Sequence, residues 1–205
     1  MFLKIGAKVG DSNYFRVGGI PLRTMAKPVH TTKTSGTTQP KFAQKYINVF
    51  LGIGSNVGDR AANLRTAYNH IHRLIGKVAK FSHIYETEPW GNEEQEAFLN
   101  QVIMINTTMD PRELLEAATK IEREMGRVRK EKWGPRIIDI DILFYGKRII
   151  RDKGLEIPHP ELHKRAFVLV PLLEIAPDLM HPVLKKPIDE LYMACEDTSD
   201  VVMLS

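Results

Sequence analysis

The residues most able to do chemistry lie in one run, Trp133-Gly-Pro-Arg-Ile-Ile-Asp-Ile-Asp-Ile-Leu-Phe144. Its apolar, β-branched content predicts a strand over Ile137–Tyr145. Side chains alternate across a strand. Ile138, Ile140, Ile142 and Phe144 are therefore expected on one face, with Asp139 and Asp141 side by side on the other. Neighbouring carboxylates repel and raise each other's pKa. A divalent cation relieves that conflict, and Mg²⁺ takes hard oxygen ligands while sharing its shell with substrate phosphates. Taken alone, the pair also suits the solvated outer face of an edge strand. The arginines around it shift the balance: Arg127 and Arg129 in Gly126-Arg-Val-Arg-Lys130, Arg136 three residues before Asp139, and Arg165 further on. A guanidinium offers a planar fork of donors matched to phosphate oxygens. Cations beside a carboxylate pair are what a metal–triphosphate complex requires. Surface ion pairs with Glu122, Glu124 and Glu131 are the plain alternative for any single arginine.

Gly52-Ile-Gly54-Ser-Asn56 is glycine-rich but lacks the Gly-Lys-Ser/Thr ending of a phosphate loop. It reads as a strand-to-helix turn. If ATP is the donor, side chains and metal must hold it.

The elements that position these residues follow from periodicity. Tyr46–Gly54 reads as a strand. Leu64, Ala67, Tyr68, Ile71, Leu74 and Ile75 recur at helical spacing, which predicts a helix over 60–75. Val78–Thr87 reads as a second strand, Glu88–Glu96 as a polar loop, and Phe98–Thr108 as a third strand. Asp110-Pro-Arg-Glu113 is a helix start, with Asp110 as cap and Glu113 able to bond back to it. Gly126 can end that helix. A basic loop over 127–136 leads to the fourth strand. The order βαββαβ is that of a ferredoxin-like sandwich, an α+β fold, and short helices around 161–176 and 187–194 extend it.

Bulk properties set the class. The chain has 205 residues, 43% hydrophobic and 26% charged, enough to fold around its own core. A single cysteine, Cys195, excludes an internal disulfide and fits a reducing compartment. No apolar run reaches the ~20 residues of a membrane span. Residues 1–45 carry eight Lys or Arg against Asp11 alone, net +7, which leaves −3 for residues 46–205 out of the chain's +4. The basic charge therefore belongs to residues 1–45, which read as a disordered extension, either a dispensable leader or a transit-type segment. It does not argue for nucleic-acid binding by the folded part, residues 46–205.

Lys132-x-Gly-Pro-Arg136-x-x-Asp139-Ile-Asp141-Ile-Leu resembles the signature of the hydroxymethyldihydropterin pyrophosphokinase family. Gly54-Ser-Asn56, Tyr85-x-Thr87-x-Pro89, Phe98-Leu-Asn100, Glu122 with Gly126-Arg-x-Arg129, Ile157-Pro-His159, Arg165-x-Phe167 and Pro171-Leu-x-Glu-Ile-Ala-Pro177 match it in order and spacing. The resemblance implies diphosphate transfer from ATP to 6-hydroxymethyl-7,8-dihydropterin in folate biosynthesis. It implies that Asp139 and Asp141 hold two Mg²⁺ ions near the pterin. Arg127, Arg136, His159 and Arg165 would hold the ATP phosphates, and Glu122 and Lys130 would contact the nucleotide. Arg129 and Trp133 would belong to a closing loop. Asn100 would read the pterin edge, Phe98 and Phe167 would sandwich its ring, and Thr87 and Trp90 would bind it through backbone groups. Phe98 stands where some members carry tyrosine, as does Pro160. A cytoplasmic monomer without nucleic-acid or membrane partners is expected. A metal-dependent nuclease or nucleotidyltransferase, and a non-catalytic RNA-binding module of the same fold, are the competing readings.

Overall fold

The computed structural model describes residues 3–4, 45–89, 95–127 and 134–204. Most of the predicted extension therefore lies outside the described residues. The described elements are β1 (Leu3–Lys4), β2 (Ile47–Ser55), α1 (Arg60–Leu74), β3 (Lys77–Phe81), β4 (Tyr85–Thr87), β5 (Phe98–Thr107), α2 (Pro111–Glu124), β6 (Asp139–Tyr145), β7 (Ile150–Asp152), β8 (Leu155–Ile157), α3 (Ala166–Ile175), α4 (Ile188–Met193) and β9 (Val201–Met203). The fold is mixed α+β around an antiparallel sheet in the order β1-β9-β4-β5-β2-β6, with β3 also paired to β5.

The helices start and stop where local chemistry dictates. Asp59 caps α1 by accepting from the Ala62 N–H at 2.9 Å. Asp110 accepts from the Arg112 and Glu113 N–H groups, and Glu113 Oε2 accepts from the Asp110 N–H at 2.8 Å, which completes the expected capping box. Gly126, at φ +89°, ends the α2 region in the left-handed conformation that a side chain would disfavour.

Two apolar layers cover the sheet. On one face Leu51, Ile53, Ile103, Ile105, Ile140 and Ile142 meet Leu64, Ala67 and Ile71 of α1 and Leu114, Ala118 and Ile121 of α2. Each fully buried Leu or Ile there contributes on the order of 1.5–3 kcal/mol. On the other face Phe50, Val102, Leu143 and Phe144 pack on Leu169 and Leu172 of α3 and Ile188 and Leu191 of α4.

The strands differ from expectation in three ways. The predicted strand Val78–Thr87 is broken at Ser82. Its N–H bonds to the Val102 carbonyl at 2.9 Å while its Oγ accepts from the Val102 N–H at 3.0 Å, so both halves pair with β5. Phe144 does not share a face with Ile140 and Ile142. A bulge between Phe50 and Leu51 of β2 pairs Phe50 with Phe144 but Leu51 with Ile142. The extra residue, Leu143, puts Phe144 in the second layer. The hairpin β7–β8 and the strand β9, which pairs with β4, were not anticipated.

Candidate active site

Where α3 begins, the second layer thins out and leaves a cleft of about 290 Å³ over β2, β5 and β6. Strand register explains which side chains meet there. Gly54 of β2 lies between Asn100 of β5 and Asp139 of β6, and Gly52 lies beside Asp141. All of these line the cleft. Alternation thus carries the carboxylate pair to the same face as Asn100, with two residues lacking side chains between them. The Asn100 side-chain oxygen sits only 2.8 Å from where a Cβ on Gly54 would be. Its Nδ2 donates to Thr87 Oγ1 at 2.7 Å, so β4 helps orient the amide.

The acids are not alone. Arg127 Nη1 reaches Asp139 Oδ1 at 2.6 Å and Arg136 Nη1 reaches Asp139 Oδ2 at 3.1 Å. Asp141 carries its conflict differently. Burial, and then the charge of Asp139, push its carboxyl up to about 7, against the opposing pull of Arg165 and Arg136. These acceptor-only oxygens are the hard ligands Mg²⁺ prefers, and a cation between them would offset both the burial cost and the repulsion that raise Asp141. Among the described residues no third His, Cys, Asp or Glu joins the pair in a metal cluster. The rest of a Mg²⁺ shell would fall to water and phosphate, as is usual for this ion. The donor set fits the metal.

Glu122 lies beneath this array rather than on the cleft surface. It is 4% exposed, accepts from the Ile140 N–H at 2.8 Å and pairs with Arg127. Burial raises its pKa, opposed chiefly by the charge of Arg127. Its shown contacts hold β6 and Arg127.

On the far wall stand His159, Arg165 and Phe167. The Glu161 N–H donates to His159 Nδ1 at 3.2 Å, which leaves Nε2 as the protonated nitrogen. Burial, reinforced by Arg165, lowers the His159 pKa to about 4, so the ring is neutral at pH 7. The Arg136 guanidinium lies 5.3 Å from the centre of the Phe98 ring and that of Arg165 lies 5.7 Å from Phe167. Glu174 of α3 anchors the β4 side by accepting from Tyr85 Oη and the His83 N–H, each at 2.9 Å.

Of the site residues read from sequence, Thr87, Phe98, Asn100, Arg127, Arg136, Asp139, Asp141, His159, Arg165 and Phe167 border this single cleft. Trp90, Arg129, Lys130 and Trp133 lie outside the described residues. Sequence reasoning missed Gly52 and Gly54 as floor and read them as a turn. Their period-two spacing, in phase with Asp139 and Asp141, was the available signal.

Comparisons with known proteins place the chain in a family. The profile of the 7,8-dihydro-6-hydroxymethylpterin-pyrophosphokinase (HPPK) family matches residues 50–177. The 2-amino-4-hydroxy-6-hydroxymethyldihydropteridine pyrophosphokinase of Aquifex aeolicus is 47% identical over 142 residues, covering 69% of this chain and 88% of that protein. Its Bacillus subtilis counterpart is 46% identical over 127 residues, covering 62% and 76%. The crystal structure of wild-type Plasmodium falciparum HPPK-DHPS superposes with a TM-score of 0.59 at 19% identity, over 73% of this chain and 45% of that one. This structural likeness concerns the fold, whereas the profile match and the bacterial relatives reach the sequence itself. The cleft bordered by Asp139, Asp141 and Asn100 lies on elements within that match, and the chain belongs to the 7,8-dihydro-6-hydroxymethylpterin-pyrophosphokinase family.

Proposed function

We propose that the cleft transfers the terminal diphosphate of ATP to the hydroxymethyl oxygen of 6-hydroxymethyl-7,8-dihydropterin, with Mg²⁺ held by Asp139 and Asp141. Family membership makes the chain a pterin pyrophosphokinase of folate biosynthesis. The carrying observation is the placement of the carboxylate pair and Asn100 on one face, across the glycine floor of β2. In this reading the pterin oxygen attacks the β-phosphorus, the bond from that phosphorus to the α–β bridging oxygen breaks, and AMP leaves. The hydroxyl proton is released. Two Mg²⁺ ions would neutralise phosphate charge and act as Lewis acids.

The chain's own groups do the rest. Phe98 and Phe167 offer aromatic faces for a flat bicycle, and Asn100, braced by Thr87, offers both donor and acceptor to its edge. Arg127, Arg136 and Arg165 supply charge to phosphate oxygens, and neutral His159 supplies an N–H. Arg127 and Arg136 are paired with Asp139, so engaging phosphate means exchanging one anion for another. That exchange preserves charge balance in the cleft. Arg129, Lys130, Trp133 and Trp90 keep the roles the family resemblance gives them, whereas Glu122, buried beneath the cleft, acts by holding Arg127 rather than by touching the nucleotide. The strand order β6-β2-β5-β3 with antiparallel neighbours supports reading the frame as ferredoxin-like. No helix among the described residues is long and apolar enough to cross a membrane. A monomer acting in the cytoplasm on these two substrates completes the proposal.

The test is to incubate the protein with ATP, Mg²⁺ and the pterin alcohol and to follow AMP. AMP should form only when all three are present. AMP release that needs nucleic acid, or that ignores the pterin, would overturn the reading.

A further inference from the structure

The turn after β2 holds an asparagine that does more than turn the chain. Asn56 is 2% exposed and does not border the cleft. Asparagine is common in turns because it tolerates the left-handed conformation. That is not its use here, because the left-handed residue of this turn is Gly58, at φ +69°, and Asn56 is not among the positive-φ positions. Its amide is spent on hydrogen bonds instead. Oδ1 accepts from the Arg136 N–H at 2.8 Å. Nδ2 donates to Gln95 Oε1 at 3.1 Å and to the Glu96 carbonyl at 3.2 Å. Its backbone N–H donates to the Arg136 carbonyl at 3.2 Å. These partners fix the orientation of the amide, since a flip would set donor against donor and acceptor against acceptor.

The connections form a closed circuit. Glu96 stands two residues before Phe98. The Phe98 ring carries the Arg136 guanidinium over it, at 5.3 Å from its centre. Arg136 is held at both its N–H and its C=O by Asn56, and Asn56 returns to Glu96. Arg136 also reaches Asp139 at 3.1 Å. One buried amide thus registers the chain entering the aromatic side of the cleft against the arginine of its phosphate side. The turn itself is braced from α1, where Asn63 Nδ2 donates to the Val57 carbonyl at 2.8 Å and to Ser55 Oγ at 3.2 Å.

We infer that Asn56 is a positioning residue, which sets Arg136 relative to Phe98 and Asp139 and so aligns the two substrates without touching either. The inference rests on the proposed reaction for its kinetic meaning, but its structural half stands apart. Misplacement of reacting groups by about 1 Å costs on the order of 10²-fold in rate.

Asn56→Asp keeps the oxygen that accepts from Arg136 and replaces the Nδ2 donor by an acceptor facing two oxygens. Asn56→Ser shortens the side chain and loses both ends. For the Asp variant we expect kcat to fall at least tenfold and the pterin KM to rise, with the KM for ATP within threefold of the parent. The Ser variant should lose a further factor in kcat. Amide hydrogen exchange, measured without substrates, should speed up at residues 95–97 in both variants but at Arg136 mainly in Ser. If the parent protein forms no AMP, the proposed reaction fails while the exchange pattern still judges the circuit. If both variants keep parental kcat and both parental KM values, the inference is overturned. It is equally overturned if activity at low temperature is parental and only Tm drops, because Asn56 is then structural alone. Unchanged exchange at Arg136 in the Ser variant also sinks it.

Discussion

The two faces of the central strands use one backbone for opposite ends. Toward α1 and α2, β2 presents Leu51 and Ile53, β5 presents Ile103 and Ile105, and β6 presents Ile140 and Ile142, all buried in one apolar layer. Facing the other way on the same strands stand Gly52, Gly54, Asn100, Asp139 and Asp141. The first face is filled to exclude water. The second, packed on α3 and α4 over part of its extent, is emptied by glycine at the cleft and lined there with groups that repel or need partners. Strand alternation makes this pairing economical, since the apolar set on one side fixes the register that the polar set requires. Apolar burial against α1 and α2 stabilises the fold, so the cleft can tolerate two close carboxylates and a neutral buried imidazole.

That contrast can be broken most severely at the acids. Asp139→Ala or Asp141→Ala should cut turnover by several orders of magnitude with the fold intact, read by AMP formation and circular dichroism. Without metal, Asp141→Asn should raise Tm by roughly 2–4 °C, because it removes a buried charge that also lies beside Asp139, worth about 1 kcal/mol in a chain of this size. A lower Tm would mean that Asp141 stabilises the empty cleft.

The apolar face should respond in the other currency. Ile103→Ala leaves a cavity and should cost about 2–5 kcal/mol in urea unfolding, with kcat near the parental value well below Tm. A large loss of kcat in the folded variant would show that the faces are not separable.

Gly54→Ala sharpens the comparison at its midpoint. Its Cβ would fall 2.8 Å from Asn100 Oδ1, an overpacking of about 1–3 kcal/mol. Pterin binding should weaken by roughly 10–100-fold, measured by titration, while binding of an ATP analogue changes little. For Gly52→Ala the nearest atoms are those of Leu143, at 3.6 Å, an ordinary contact, so the protein itself should accept it.

The smallest effect is a slope. The folded-state pKa of His159 is about 4 against 6.5 for a free imidazole. The unfolded chain therefore takes up this proton first as pH falls. Stability from His159 is full above pH 6.5 and declines as pH drops toward 4. His159→Gln should flatten that part of the Tm–pH curve. An NMR midpoint near 6.5 for His159 would contradict its burial.

Much of this was legible beforehand because it is local. The cap at Asp110, the period of Leu64, Ala67 and Ile71, and the alternation that set Asp139 beside Asp141 depend on near neighbours in the chain. The motifs from Thr87 to Phe167 named residues that share one cleft, although nothing in their spacing showed how they meet.

Other features depended on partners distant in sequence. Phe144 changed faces because a bulge opposite Phe50 and Leu51 admitted Leu143. The strand from Val78 broke because Ser82 bonded Val102 twice. Gly54 reads as a turn former until Asn100 is placed against it. Asn56 looks like any turn asparagine until Glu96 and Arg136 arrive from 40 and 80 residues away. The sequence by itself determined the helices, the carboxylate pair and the chemical family, since these follow from residue type and short spacing. Only the tertiary structure decided which strand face holds the cleft, what its floor is made of and how its two sides are registered, because each is a contact whose partners are chosen by packing.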